Sequence, residues 1–495
     1  MSASLPRDPN LEHLRKQARA LFRALRRNDP EAVEAFGALN LKRLPTLSDA
    51  QHLVARRYGF KSWPELKAHV DAQIGAEVLE RARQAFCDDD APAVRRLLEQ
   101  YPSLKAIINA SAESMHGPLI TDVQSVEMLD ALLDAGADVN ARSHWWAGGL
   151  GLLDRAKPEV AAHAIERGAV VTVHAAARLG MLERLRKLIE EDPERVHERG
   201  GDGQTPLHFA STVEIAEFLL SYGADIDARD VDHESTPAQY MVRTRQHVAR
   251  YLISRGCSTD LLMAAALGEE QLAMKILSDD PEVIRMRVTD EYFPMVGGKS
   301  GGTIYQWELG WYVSAVQVAH KFGHERLVQL LSERCPPDER LLNACWMHDE
   351  AEVRSLLARS PDLADELPPA GRRHVAHAAR NDDAEAARLM IEARLPVSRT
   401  FGQHHATPLH WAAWHGNATL VRLILAHHHD LEDADNDFKS TPLGWALHGS
   451  RNGWHRDRGN YPETVTALLE AGARIPPNHE ATEEVAAILR EWGFG

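Results

Sequence analysis

The chain has 495 residues and a formal net charge of −16, with 44% hydrophobic and 26% charged residues. That length exceeds one ordinary core and calls for several domains or one elongated array. The acidic balance argues against broad contact with nucleic acid, which is not expected as a partner. No apolar run approaches the roughly 18 residues of a membrane span. The start, MSASLPRDPNLEHLRKQ, lacks the apolar stretch of a secretory signal. The four cysteines, Cys87, Cys257, Cys335 and Cys345, match no zinc spacing. A cytoplasmic protein with reduced, mostly buried thiols is therefore expected.

Residues 1–75 carry 13 Lys/Arg against 8 Asp/Glu, so this segment is basic and the remainder acidic. Leu11, Leu14, Ala18, Leu21, Phe22 and Leu25 follow helical spacing, with Arg15, Arg19, Arg23 and Arg26 between them. Asn28-Asp29-Pro30 stops this helix and starts a second. Ser48 is expected to cap a third, ended by Gly59, and Ser62-Trp63-Pro64-Glu65 opens a fourth. The segment reads as a helical cap for the array that follows, the alternative being a basic docking arm.

From Ala76 onward the pattern is one of helix pairs, starting with Val78–Phe86 and Ala93–Glu99. The tetrapeptide Thr-Pro-Leu-His occurs at Thr205–His208 and Thr407–His410. Near-copies, Thr236-Pro237-Ala238 and Thr441-Pro442-Leu443-Gly444, follow 31 and 34 residues later. Each opens a segment running into an apolar helix that ends Leu-Leu-x-x-Gly-Ala, as at Phe218–Ala224 and Leu468–Ala473. A motif at a period of about 33 residues marks a stacked repeat array. The Thr is placed to cap and the Pro fits a first helical turn.

Thr205–His208, Gly223–Ala228 and Thr407–Ala413 resemble the ankyrin repeat, and the resemblance extends over about Ala76 to Ala473. It implies an all-α solenoid of about a dozen helix-turn-helix repeats, with inner and outer helices joined by hairpin-like fingers. It also makes His208 and His410 structural links between neighbouring repeats. Leu14–Ala18, Ala50-Gln51 and Tyr58–Pro64 resemble a helical module that precedes such arrays in a group of bacterial proteins without an assigned activity. Gly302–Gly310 and Thr441–Ser450 resemble the same group. The expected division is a cap module over 1–75, repeats over 76–260, a repeat with a long insertion over 261–313, repeats over 314–478 and a capping helix over 479–495.

Two insertions break the period. The first holds Gly297-Gly298-Lys299-Ser300-Gly301-Gly302 between aromatic runs that include Tyr292-Phe293 and Tyr305, Trp307, Trp311 and Tyr312, and reads as a long hairpin or lid. Its Gly-Lys-Ser does not make a phosphate loop, because Phe293 stands where the first Gly is required. The second, Gly449–Tyr461, contains Trp454 and His455, and ordered long loops are frequently functional.

The resemblance places the two residues before each turn glycine on the concave groove. In the C-terminal half these are Lys321 and Phe322, Trp346 and Met347, Arg380 and Asn381, and Trp414 and His415. His448 holds the corresponding position in the last copy. Aromatic and Arg side chains on a rigid face are what binding hot spots use. Trp411 and Trp445 read instead as packing between repeats. No metal site is expected. The runs His404-His405 and His427-His428-His429 cannot share one helix face, and Asp433-x-Asp435-x-Asp437 lacks the Gly and Glu of a calcium loop.

No cofactor motif is present. The leading expectation is a binding scaffold for a protein or peptide in the C-terminal groove. The alternative is an enzyme using that groove as a closed pocket for a small apolar molecule. In it His415 or His448 would be acid or base, Asp437 the orienting carboxylate, and Tyr305, Trp307 and Trp454 the walls.

Overall fold

A computed structural model describes residues 11–39, 43–101, 104–105, 117–368, 371–397, 404–427, 430–454, 456–477 and 480–493. His428, His429 and His455 lie outside them. The fold class is all-α: the described residues hold isolated β-bridges, such as Arg142 with Gly151 and Arg287 with Ser314, in place of strands. No helix among them is long and apolar enough to cross a membrane. The chain divides into two compact units, Met1–Ala175 and Ala176–Gly495.

In the first unit, helices Leu11–Arg26, Pro30–Gly37 and Leu47–Arg57 enclose a small core of Leu14, Ala18, Phe36, Ala50, Val54, Ala55 and Leu66. Asp29 caps the second helix through the Ala32 amide, and Ser62 caps the fourth through that of Glu65. The third helix starts one residue before the position expected for its cap. Thr46, not Ser48, is the cap residue, and Asp49 reaches back to the Thr46 amide while holding Arg43 at 2.7 and 2.8 Å. The break expected near Gly75 is absent: one helix runs from Trp63 to Cys87. Gln73-Ile74-Gly75 offers no cap or proline to stop it, and a lone Gly costs a helix only about 1 kcal/mol.

In the second unit, inner helices Leu261–Leu267, Ala315–Lys321, Pro337–Trp346, His374–Arg380, Pro408–Trp414 and Pro442–Asn452 alternate with outer helices such as Glu325–Ser332, Ala384–Glu392 and Ala418–Leu425. Inner helices are packed almost all round; every side chain of Leu261–Leu267 is buried. That is why they carry Ala runs rather than an amphipathic stripe. Gly223 and Gly472, with φ of 90° and 99°, end outer helices in a conformation that costs Gly little.

The Thr-Pro-Leu-His motif performs the structural role expected of it. In both copies the His Nδ1 accepts the amide of its own Thr, from Thr205 at 3.1 Å and from Thr407 at 3.3 Å. Nδ1 is thus the bare nitrogen, and Nε2–H donates to the next finger, to Ser235 O from His208 and to Ser440 O from His410, both at 3.1 Å. The two copies differ in length. Pro408–Trp414 is a full α-helix, whereas Pro206–Phe209 is a single 3₁₀ turn. In the first copy the next cap, Thr212, follows its Thr after seven residues; in the second, Asn417 follows after ten.

The first insertion is not a hairpin. One bridge closes its base, a short helix Tyr305–Glu308 lies near its end, and the Gly-rich part rests on the finger at Asp232–Ser235. There Val296 and Gly297 amides donate to the Glu234 carboxylate, the Gly301 amide to Asp232 O and Oδ1, and the Ile304 amide to Ser235 Oγ. The second insertion is shorter than expected because the last inner helix continues past His448 to Asn452.

Candidate functional site

Two cavities open along the inner helices of the C-terminal repeats. One of about 630 Å³ is walled by Trp411, Trp414, Trp445, Trp454 and Phe438, with His404, His448 and Glu480 also lining it. The other, of about 820 Å³, is lined by Trp307, Trp311, Trp346, Lys321 and Arg380 among others, and shares Trp454 with the first. Trp454 is 57% exposed, so its indole is offered to solvent between the two.

Helical register builds the aromatic wall. Trp411 and Trp414 lie three residues apart on Pro408–Trp414, and Trp445 and His448 three apart on Pro442–Asn452, so each pair shares a face. Trp411 meets Trp445 edge-on at 5.2 Å between ring centres, and Trp414 meets Trp454 edge-on at 6.0 Å. Such edge-to-face contacts fix ring orientation and add about 0.5–1.5 kcal/mol each beyond burial. Tyr461 OH donates to Trp414 O at 2.8 Å and ties the second insertion's end to this wall.

Arg380 stands behind it. Its guanidinium lies 4.6 Å from the Trp311 ring centre, 5.6 Å from Trp411 and 5.9 Å from Trp454. Burial pushes its pKa down to about 10, with Asp290 opposing that shift, so it remains a cation at neutral pH.

The expected site residues divide into several groups. Trp414, Trp454 and His448 line the smaller cavity, and Lys321, Trp346, Arg380, Trp307 and Trp311 the larger. Some of these are already engaged. Lys321 Nζ donates to Leu309 O at 2.8 Å and Asn381 Nδ2 to Trp311 O at 3.1 Å, so both hold the insertion in place. Trp346 is nearly buried and donates its indole N–H to His374 Nδ1. Phe322 is half-buried at the end of its helix and is not among the residues lining either cavity.

Tyr305 is no wall or lid residue. It is fully buried, its hydroxyl donating to Asp260 at 2.9 Å and its ring edge-on to Phe293. His415 is also buried, not groove-facing, and its Nε2–H donates to Arg380 O at 2.8 Å. Asp437 does not orient His415 or His448. Its carboxylate takes His405 at 2.9 Å with His404 at 3.7 Å, and His405 is what holds its pKa down. The three groups of the acid–base reading are therefore not brought together.

Sequence reasoning set Trp411 and Trp445 aside as packing residues. They are buried, yet each also lines the smaller cavity. Phe438 was missed as a site residue. It is 62% exposed at a finger three residues before Thr441, and an apolar side chain at a finger tip was the available signal.

A family model described as "Ankyrin repeats" matches in three copies, over residues 173–263, 315–435 and 376–479, together more than half of the chain. The chain belongs to the ankyrin-repeat family. Among curated proteins, "Serine/threonine-protein kinase VIK" of Arabidopsis thaliana is 49% identical over 49 residues, 9% of this chain and 11% of that protein. "Ankyrin repeat and SAM domain-containing protein 6" of Mus musculus is 26% identical over 117 residues, 23% of this chain and 13% of that protein. The Rattus norvegicus protein of the same name is 25% identical over 131 residues, 26% of this chain and 15% of its own length. The chain spans between a tenth and a sixth of these relatives' lengths. Stacked repeats present extended binding surfaces, and function resides in the side chains grafted on one face.

Proposed function

We propose that this protein is a cytoplasmic binding scaffold that holds a protein or peptide segment along the inner-helix face of its C-terminal repeats. The observation that carries the reading is Trp454. It is a large, exposed aromatic standing on a rigid wall of Trp411, Trp414 and Trp445, between two adjoining cavities. A peptide side chain can enter each cavity while the backbone crosses Trp454, and Trp and Arg are the residues most used as hot spots. Free cysteines, three of the four buried, suit a reducing compartment. The acid–base alternative has lost its support, because His415 is committed to Arg380 O and Asp437 to His405.

The test uses peptides selected from a random display library against the full chain. Trp454→Ala should weaken the selected peptides by about 2 kcal/mol or more, close to 30-fold, while the chain stays folded by circular dichroism. Lys187→Ala, on an outer helix of an earlier repeat, should leave them unchanged. Equal affinity for wild type and Trp454→Ala would remove this face from the function.

A further inference from the structure

Three residues before the Thr of successive repeats lie Asp202 and His233, with Asp232 beside the latter. The Val231 and Asp232 amides donate to Asp202 O at 2.9 and 3.2 Å, which stacks the two fingers and superposes these positions. One ligand atom from each of Asp202, Asp232 and His233 lies within 4.8 Å of the others. We propose that these three side chains bind one divalent transition-metal cation, of which Zn²⁺ is the best match, and that the ion pins the Gly-rich insertion to the fingers.

The imidazole carries the argument. His233 Nδ1 is 2.7 Å from Gly302 O, and only a protonated nitrogen makes that contact. In the neutral ring the hydrogen is therefore on Nδ1, and Nε2 presents a lone pair. Nε2 faces Asp232 Oδ2 at 3.7 Å, too far for a hydrogen bond, so the two atoms stand on either side of a position an ion could take. His233 is nine-tenths buried and Asp232 more so, so bulk water does not screen the pair well. An imidazole held through Nδ1–H by a backbone carbonyl is the arrangement that orients metal-binding histidines.

The donor types fit, and the ligand atoms, 3.7 Å apart for His233 and Asp232 and within 4.8 Å for all three, need only draw together around an ion. A tetrahedral Zn²⁺ with bonds of about 2.0–2.1 Å sets its ligand atoms about 3.4 Å apart, and one His with two carboxylates is a set it accepts. Asp232 Oδ1 accepts the Gly301 amide at 2.9 Å, which turns Oδ2 toward His233. Gly301 closes this side by backbone alone, since a Cβ there would stand 2.8 Å from His233 Cε1. Asp202 is half-buried and supplies both the third donor and the entry path, leaving a fourth position for water.

The full chain, stripped with a chelator, would be titrated with Co²⁺ as a visible-absorbing probe and then with Zn²⁺ as competitor. Wild type should bind one ion that His233→Gln, Asp232→Asn and Asp202→Asn each weaken at least ~10-fold, with circular dichroism unchanged. Zn²⁺ should also slow proteolysis between Pro294 and Gly302 in wild type but not in Asp202→Asn. Asn tolerates the φ of 55° at position 202, so that variant keeps the backbone should the buried ones misfold. Unchanged affinity in Asp202→Asn or His233→Gln overturns the proposal, because the ion would then sit at other histidines. No binding at micromolar metal also overturns it.

Discussion

Arg380 lies with its guanidinium carbon 4.6 Å from the ring centre of Trp311, near the C-terminal end of the first insertion. The contact joins an inner helix to an insertion 69 residues away in sequence, and Asn381 beside it holds Trp311 O. A partly desolvated cation over a Trp face contributes about 2 kcal/mol. Arg380→Met should therefore lower stability by about 2 kcal/mol in urea unfolding. Arg380→Lys should recover only part of that, because a point charge does not stack. Full stability in Arg380→Met would show the contact to be incidental.

Acid should destabilise the C-terminal repeats through neutral buried histidines. Burial is the first cause that lowers the pKa of His374 and His377 well below the ordinary value, and of His410 below it. Nearby Arg287 and Arg380 add to the effect at His374 and His377 respectively. The Trp346 indole also occupies His374 Nδ1 at 2.9 Å, a bond that protonation would break. The unfolded chain takes protons on these rings below about pH 6.5 while the folded chain does not, so the unfolded state binds more protons and stability falls as pH falls. The loss begins near pH 6.5 and continues down to the folded-state values, at up to about 1.4 kcal/mol per pH unit for each ring. Melting curves from pH 7.5 to 5 should show Tm dropping below 6.5, and His377→Gln should flatten the drop. A Tm that is constant over this range would contradict the assignment.

The fold was legible because repeats write themselves in sequence. Thr205, Pro206 and His208 recur at Thr407, Pro408 and His410, and in both copies the His Nδ1 accepts the amide of its own Thr. What was not legible followed from spacing and long-range contact. The last two residues of the inner helix were expected to face the groove, which holds for Trp414 but not for His415. A step of about 100° on the helix turns His415 to Arg380 O, into the neighbouring repeat. Tyr305 read as a wall because its neighbours are aromatic and glycine-rich. Its burial depends on Asp260, 45 residues away, which no local pattern could reveal.

A close backbone approach fixes the aromatic wall. A Cβ on Gly449 would stand 2.5 Å from Trp414 O, an atom that also accepts the Tyr461 hydroxyl. Because the obstacle is backbone, the strain cannot be relieved by a rotamer change. Gly449→Ala should cost about 1–3 kcal/mol despite adding a better helix former to the middle of Pro442–Asn452. Differential scanning fluorimetry against Gly298→Ala, where a Cβ meets open space, gives the comparison. Equal Tm values would mean that the helix slides to accommodate the methyl group.

The Gly-rich insertion is held at both ends by different means, and the ends should separate under mutation. Glu234 takes the amides of Val296 and Gly297 at one end, and Lys321 and Asn381 hold Leu309 and Trp311 at the other. Charge-assisted bonds of this kind contribute about 1.5–3 kcal/mol when partly shielded and less when exposed, as the Glu234 pair is. Glu234→Ala should raise amide hydrogen exchange at residues 296–301 several-fold. It should leave exchange at 305–312 unchanged, because Tyr305 remains anchored on Asp260. Lys321→Ala should do the converse, mobilising 309–312 and altering the larger cavity. If Glu234→Ala instead loosens the whole segment through Trp311, the insertion moves as one body, and peptide binding along the Trp454 face becomes sensitive to a residue far from it.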